Sequence, residues 1–468
     1  MLHAGAVCST RRLVFDTMKQ PKIPIILPVE TQVREMDAKL LLACVAAERG
    51  HRSYIGFQNE IRARIVDIPS GVFIAKGFAS RKARFLRILR RLGFTVMAWD
   101  EEGLVHPPAD IYSKRRISAE SLSLLEGIFS WGTDYTELLR GLPFYDGTTI
   151  YQEGNPRLDL LGRHVRNFYD PDVANLHNKY GKYILVNSNF GRVNSAIKRR
   201  RDEGVAGPGS DPALDKKWLD NMNYRRTLYE HFRGMLSLVA ESFPDYRVVL
   251  RPHPAERLES WRDIEARHKN LHVLFEGNVI PWLLGTEILV HNGCTTAIES
   301  VLLGRPAVCY QPIEALSDDW HLPNSISHQA TSDRQLIGLL RSHLQTGDRL
   351  TVSEEQRRLL DWYVDIQPDR LSSDRIVDIM EKLGPAKTTP SRYDGFRGRT
   401  DARLRAAEKK LRSMLPGDVY SPWHQEKQFP KLTMSDVEGM VERFRTATGR
   451  FANIRVSAFA TNVFMIEG

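Results

Sequence analysis

Two short strings carry the residue types of a phosphate site: Arg251-Pro252-His253-Pro254 and His291-Asn292-Gly293-Cys294-Thr295-Thr296. Each follows an apolar, strand-like run (Tyr246 to Leu250, then Ile288 to Val290), and the second opens a helical pattern. At such a strand end, backbone N–H groups and the positive end of a helix dipole face an anion. Thr295 and Thr296 add hydroxyl donors, and His253 can bond a phosphate oxygen or neutralise a leaving group. Pro254 has only a backbone role. An acidic turn, Asp100-Glu101-Glu102-Gly103, closes a third apolar run, Phe94 to Ala98. A carboxylate partly desolvated there has a raised pKa and takes a proton from a sugar hydroxyl, while Gly103 permits the tight turn that aims it.

Further polar residues stand at comparable strand ends. Glu299, one turn into the helix after Thr296, has the reach to accept hydrogen bonds from ribose hydroxyls, although an acid there also compensates the dipole. Asn187, Ser188 and Asn189 end the run Tyr183 to Val186 and are either phosphate or sugar contacts or ordinary turn formers. Glu276 and Asn278 follow His272 to Phe275 and are candidates to contact a nucleotide base, and Arg251 is either a strand-end salt bridge, the reading its position favours, or a partner for a carboxylate on a donor sugar. No metal is expected: the one Asp-x-Asp spelling, Asp170-Pro171-Asp172, reads as a helix-start turn.

The elements that must position these residues alternate. Strand-like runs at Ile23 to Leu27, Ser53 to Phe57, Val72 to Ile74, Phe94 to Ala98, Gly127 to Trp131 and Thr149 to Gln152 are separated by helical patterns, the signature of βα units and a parallel sheet. A second series runs from Tyr183 to Tyr310 and ends in helices at Asp333 to Thr346, Ser353 to Tyr363 and Ser372 to Leu383. The expected organisation is a flexible leader over 1–17, a Rossmann-like acceptor domain over 18–165, a Rossmann-like nucleotide-sugar donor domain over 181–384, and a helical appendage of unknown role over 385–468. Met18 is an alternative start. The fold class is α/β, with two doubly wound parallel-sheet domains facing a cleft, which is the GT-B architecture; ligands in such sheets sit beyond the carboxyl ends of the strands.

Composition limits the partners. The 468-residue chain carries a net charge of +9, concentrated at Arg81 to Arg91, Lys198 to Arg201 and Arg392 to Arg412. Such runs are either faces of surface helices or docks for an anionic membrane leaflet. Nucleic acid is not expected, because the runs are not interleaved with stacking aromatics. The four cysteines have no paired spacing, which points away from a disulfide framework or zinc site and toward the cytoplasm, either free or at the inner face of the cytoplasmic membrane. No apolar run is long enough to span a bilayer.

In order, Glu101-Glu102-Gly103, His253-Pro254 and Thr295-Thr296 resemble the D/E-D/E-G, His-Pro and Ser/Thr-Ser/Thr motifs of bacterial sialyltransferases and polysialyltransferases. Arg34-Glu35-Met36-Asp37-Ala38-Lys39-Leu40-Leu41, Gly154-Asn155-Pro156-Arg157 and Leu322-Pro323-Asn324-Ser325 are similar to strings of the bacterial surface carbohydrate biosynthesis proteins. The resemblance spans Lys22 to Leu383. It implies Glu101 or Glu102 as general base, Glu101 ahead as the first acid of the triplet and Asp100 third, and His253, Thr295 and Thr296 on the phosphate of a CMP-linked donor. It implies transfer of an acidic sugar of the sialic, legionaminic or Kdo type to a surface glycan or lipid-linked acceptor, without a cofactor. The alternatives are a CDP-glycerol or CDP-ribitol phosphotransferase, a UDP-sugar 2-epimerase, and a non-catalytic scaffold of polysaccharide export.

Overall fold

The computed structural model describes residues 22–195, 212–314, 321–384, 390–415, 418 and 420–468. The expected leader, the alternative start at Met18 and the basic run Lys198 to Arg201 lie outside these residues. Two separate sheets organise the chain. The first is built from β1 (Pro24–Val29), β2 (Arg52–Phe57), β3 (Val72–Ala75), β4 (Thr95–Ala98), β5 (Gly127–Ser130) and β6 (Thr149–Gln152), all parallel in the order β2-β1-β3-β4-β5-β6. The second contains β7 (Tyr183–Asn187), β8 (Arg247–Arg251), β9 (Leu271–Val273), β10 (Ile288–His291), β11 (Ala307–Tyr310) and β12 (His328–Ala330), parallel in the order β12-β11-β10-β7-β8-β9. Continuous Val, Ile and Leu runs make these strands, because helices cover both faces and leave no polar side.

The order reverses between β1 and β3 in the first sheet and beside β7 in the second, and a ligand crevice is expected beyond the carboxyl ends at these points. The helix Gln32–Glu48, which follows β1, is enclosed on nearly every side, with Glu35, Met36 and all of Ala38 to Ala47 buried. A helix buried all round cannot be amphipathic. Its two charged buried residues, Glu35 and Lys39, therefore have to satisfy each other.

The C-terminal segments differ from expectation. The helix Ser372–Leu383, placed by sequence with the donor domain, packs on the helix Gln32–Glu48 of the first domain. Asp159 fixes it there, accepting from the Ser372 and Ser373 backbone N–H groups at 2.7 and 2.9 Å. The appendage is not purely helical: after the helices Arg392–Ser413, Pro422–Gln428 and Met434–Thr448 it ends in a hairpin, β13 (Arg455–Ala460) and β14 (Val463–Glu467). β14 pairs antiparallel with β2 and extends the first sheet to eight strands. Gly56, at φ +149°, permits this pairing, since a side chain there would meet the Asn462 carbonyl 2.0 Å away. Sequence reading missed the hairpin because Arg455 to Glu467 is only half-buried at an edge and its alternation is weak.

Candidate functional site

The acidic turn after β4 separates into three environments. Asp100 is buried and receives Tyr112 Oη at 2.9 Å and Arg116 at 2.6 Å, so its carboxylate is a brace for the turn. Its carbonyl accepts from Trp131 Nε1 at 2.7 Å. Glu101 is also buried, and its carboxylate meets Lys39 Nζ and Trp99 Nε1, each at 2.8 Å. Burial pushes the Glu101 carboxyl up, but the Lys39 ammonium outweighs it and holds the group below its ordinary value. Only Glu102 is solvent-facing, paired with Arg116 at 2.8 Å and with Arg34 at 3.9 Å. Arg34 also donates to the Glu101 carbonyl at 3.0 Å. Of the three acids, Glu102 alone has a carboxylate an acceptor can reach.

Behind the turn lies an ion network the sequence reading did not identify as a site. Lys39 Nζ contacts Glu35 at 2.8 Å and donates to the Pro28 carbonyl, and Lys76 reaches Glu35 at 2.8 Å and also pairs with Glu30. All of these groups stand at the reversal between β1 and β3. Their signal was present in the string Arg34 to Leu41, where charges recur at helical spacing along an otherwise apolar helix.

In the second domain the strand ends β7, β8 and β10 converge. Asn187 Nδ2 donates to Thr296 Oγ1 at 2.8 Å, and Asn189 Nδ2 donates to the Gly293 carbonyl at 3.2 Å. Asn187 Oδ1 is buried with no partner among the described residues. Thr296 in turn donates to Cys294 Sγ at 3.1 Å, which commits its hydroxyl, whereas Thr295 is exposed. Glu256, absent from the sequence candidates, organises this edge: one carboxylate accepts from Ser188 Oγ at 2.8 Å, Phe190 N at 2.9 Å and His253 N at 3.1 Å. Ser188 is thereby a loop brace. His291, fully buried, accepts from the Gly293 and Cys294 N–H groups and bonds Ser327 Oγ; burial pushes its pKa down to about 3, so it is a neutral scaffold.

His253 is exposed at the rim of this edge. Its Nδ1 accepts the Ala255 backbone N–H at 3.1 Å, which requires Nδ1 to be bare and puts the ring proton on Nε2. Desolvation and the positive charge of Arg34 lower its pKa, with Glu102 opposing them. Arg34 and Glu102 belong to the first domain, so their charges act on His253 from across the domain boundary. A neutral His253 with its proton on Nε2 is a hydrogen-bond donor to an oxyanion and is not poised as a base. Pro254 beside it is exposed.

The remaining candidates are engaged elsewhere. Arg251 is buried, stacked on Phe275 and Trp282, and directs both arms to the Glu276 and Gly277 carbonyls. Glu276 has an exposed side chain 3.7 Å from Lys179. Asn278 caps the helix Val279–Gly285 through Ile280 N and donates to Asp37 at 2.7 Å across the domain boundary. Glu299 pairs with Arg157 at 2.7 Å, again between domains. Arg157 belongs to the Gly-Asn-Pro-Arg string, where Asn155 caps a short helix and Pro156 starts it. Strand-end position offers Arg251, Glu299 and Asn278 as ligand contacts, with dipole compensation the alternative for Glu299 and a strand-end salt bridge the alternative for Arg251; in the structure Arg251 engages main-chain carbonyls, and Glu299 and Asn278 make contacts between the domains. Arg157→Met is expected to cost about 1.5 to 3 kcal/mol through the stranded Glu299 carboxylate. Pairing it with Glu299→Gln in a double-mutant cycle should recover part of that loss, and strictly additive losses would deny the coupling.

Two parallel-sheet domains, joined across their boundary by Arg157–Glu299 and Asn278–Asp37, have the GT-B layout. Among the described residues no group of three or more His, Cys, Asp or Glu side chains is placed to hold a metal, and no helix is long and apolar enough to cross a membrane. No family model and no curated protein matches the chain. Among solved structures it is similar to the wall teichoic acid polymerase TagF, at 13% identity over 82% of this chain and 90% of that one, with a TM-score of 0.45. It is also similar to the UDP-GlcNAc 2-epimerase of Methanocaldococcus jannaschii, at 14% identity over 77% of this chain and all of that one, with a TM-score of 0.44. Neither is a sialyltransferase or a surface carbohydrate biosynthesis protein.

Proposed function

We propose that the chain is a glycosyltransferase that moves an acidic sugar from a CMP-activated donor to a glycan or lipid-linked acceptor at the cytoplasmic face of the membrane. The observation that carries this reading is the exposed His253 ring just past β8, whose Nδ1 is held by the Ala255 N–H so that its proton stands on Nε2, within electrostatic reach of Arg34 and Glu102 of the first domain. In it, Nε2–H and the exposed Thr295 hydroxyl hold the donor phosphate, so that charge developing on the departing nucleotide meets fixed donors without a metal clamp. Asn187 Oδ1, a buried acceptor with no partner among the described residues, is available to a hydroxyl or amino group of the ligand. Glu102 removes the proton from the acceptor hydroxyl as it attacks the anomeric carbon, and the nucleoside monophosphate departs. Asp100, Glu101 and the Lys39 network act only by fixing where Glu102 stands.

One observation favours a second reading, transfer of an alditol phosphate from a CDP-linked donor. Arg251 spends both arms on main-chain carbonyls, which removes the expected partner of a donor-sugar carboxylate. Thermal unfolding with CMP, CDP, UMP, UDP and GDP tests the nucleotide. A ligand at 100 times its dissociation constant adds about 2.7 kcal/mol to the folded state, and CMP or CDP is expected to give the largest shift. A preference for UDP or GDP would remove both cytidine readings. Product analysis then separates a glycosidic bond from a phosphodiester.

A further inference from the structure

The two long basic segments have different structural fates. In the helix Ala83–Arg91 the apolar residues Phe85, Leu86, Ile88 and Leu89 are buried. Its arginines face acids: Arg84 pairs with Glu408, Arg87 with Glu120, Arg90 with Glu126 and Arg91 with Asp401. That helix is a covered, charge-compensated element of the first domain.

The helix Arg392–Ser413 lies antiparallel on it, since Arg84 meets Glu408 while Arg91 meets Asp401. It packs through small residues, Gly395, Gly398 and Ala402, the only buried side of the helix. Gly398 is required there, because a side chain would come within 3.0 Å of Arg91 Cβ. On the opposite side Tyr393, Phe396, Leu404 and Leu411 recur at helical spacing, Met414 and Leu415 follow just past the helix end, and each of the six is at least 57% exposed. A single soluble helix does not normally leave its larger apolar stripe in water. Along one flank of that stripe stand Arg392, Arg399, Arg403 and Lys410, all exposed and none with an acidic partner among the described residues. The acids of the helix, Asp394, Asp401 and Glu408, lie on the other flank, where Asp401 and Glu408 meet the helix Ala83–Arg91.

We propose that the outward face of the helix Arg392–Ser413 docks this protein on an anionic lipid bilayer, with the apolar stripe entering the interface and the basic flank meeting lipid phosphates. An exposed apolar stripe bordered by unpaired cations is the arrangement that binds in the plane of an interface. The far end of the helix reaches the carboxyl edge of the first sheet, where Lys409 contacts Asn59 two residues after β2. The acidic turn follows β4 at that same edge. The inference rests on the helix alone and holds whichever donor the cleft takes.

Co-sedimentation of the full chain with phosphatidylcholine vesicles, with and without phosphatidylglycerol, tests it. Binding is expected only with the anionic lipid and should weaken as salt screens it. Each Lys or Arg near such a surface is worth about fivefold in partitioning, so Arg399→Gln with Arg403→Gln should lower it about 30-fold. Leu404→Ser with Leu411→Ser should also release the protein, with the circular dichroism spectrum unchanged because neither residue packs on the domain. Arg87→Gln, on the covered helix, should leave partitioning intact. Absence of binding to anionic vesicles would overturn the proposal, as would loss of binding in Arg87→Gln alone. So would a dimer in solution that the leucine substitutions dissociate without any effect on vesicles, since the stripe would then be covered by a second copy. Nucleotide-induced thermal shifts, measured on the same variants, report the cleft separately.

Discussion

Lys39→Met is expected to destabilise the chain by about 3 to 5 kcal/mol, the cost of stranding buried carboxylates by removing their common partner. Lys39 is 3% exposed and lies 2.8 Å from both Glu35 and Glu101, themselves 2% and 5% exposed. Methionine keeps the length of the side chain, so the loss measures charge and hydrogen bonding more than volume. Chemical denaturation reads it, and adding Glu101→Gln to Lys39→Met should restore part of the stability. A change below about 1 kcal/mol, the range of a surface pair, would mean that water reaches the network. The pH dependence has a definite sign. Burial raises the Glu35 and Glu101 carboxyls, but the lysines hold both below their ordinary values; their contribution is therefore present above the unfolded carboxylate range of about 4.3 and is lost as pH falls through the folded values. Burial lowers Lys39, yet Glu101 and Glu35 hold it above its ordinary value, so its contribution is lost only as pH rises through that folded value. The difference between wild type and Lys39→Met should thus shrink in acid, where the stranded carboxylates of the variant are neutralised.

Glu102→Gln carries the second large effect, a loss of about 10²- to 10⁴-fold in turnover with nucleotide binding unchanged. Glutamine preserves the shape of the solvent-facing side chain and its bond from Arg116, and removes only the proton acceptor. Glu101→Gln should behave differently, lowering stability through Lys39 and lowering turnover mainly as a consequence. His253→Ala should weaken the CMP- or CDP-induced thermal shift as well as turnover, because its proposed contact to the phosphate precedes the chemical step. Near-normal turnover in Glu102→Gln would return the role of base to Glu101. Near-normal turnover in Glu101→Gln, Glu102→Gln and Asp100→Asn alike would make the acidic turn structural.

The sequence by itself determined the two sheets and the edges on which chemistry is placed. Unbroken Val, Ile and Leu runs alternating with helical periods have few solutions other than parallel strands covered on both faces, and parallel strands put their loops, and so Glu101-Glu102, His253 and Thr295-Thr296, at carboxyl ends. Those regularities are local, and a chain read one window at a time displays them. What a given polar residue does at a strand end is not local. Arg251, Glu299 and Asn278 occupy positions suited to a ligand, but their partners are Glu276 and Gly277, Arg157 and Asp37, and only the tertiary structure decided that pairing. The three acids of the turn read alike as a string; the fold buried Asp100 and Glu101 against Arg116 and Lys39 and left Glu102 to solvent, because β4 ends between the helix Gln32–Glu48 and the loop that carries Arg116. The same limit applies to the basic runs, whose sequences look alike. Long-range packing paired the arginines of Ala83–Arg91 with acids and turned the apolar stripe and basic flank of Arg392–Ser413 outward, since a helix whose small residues face the domain has no other side on which to place its large ones.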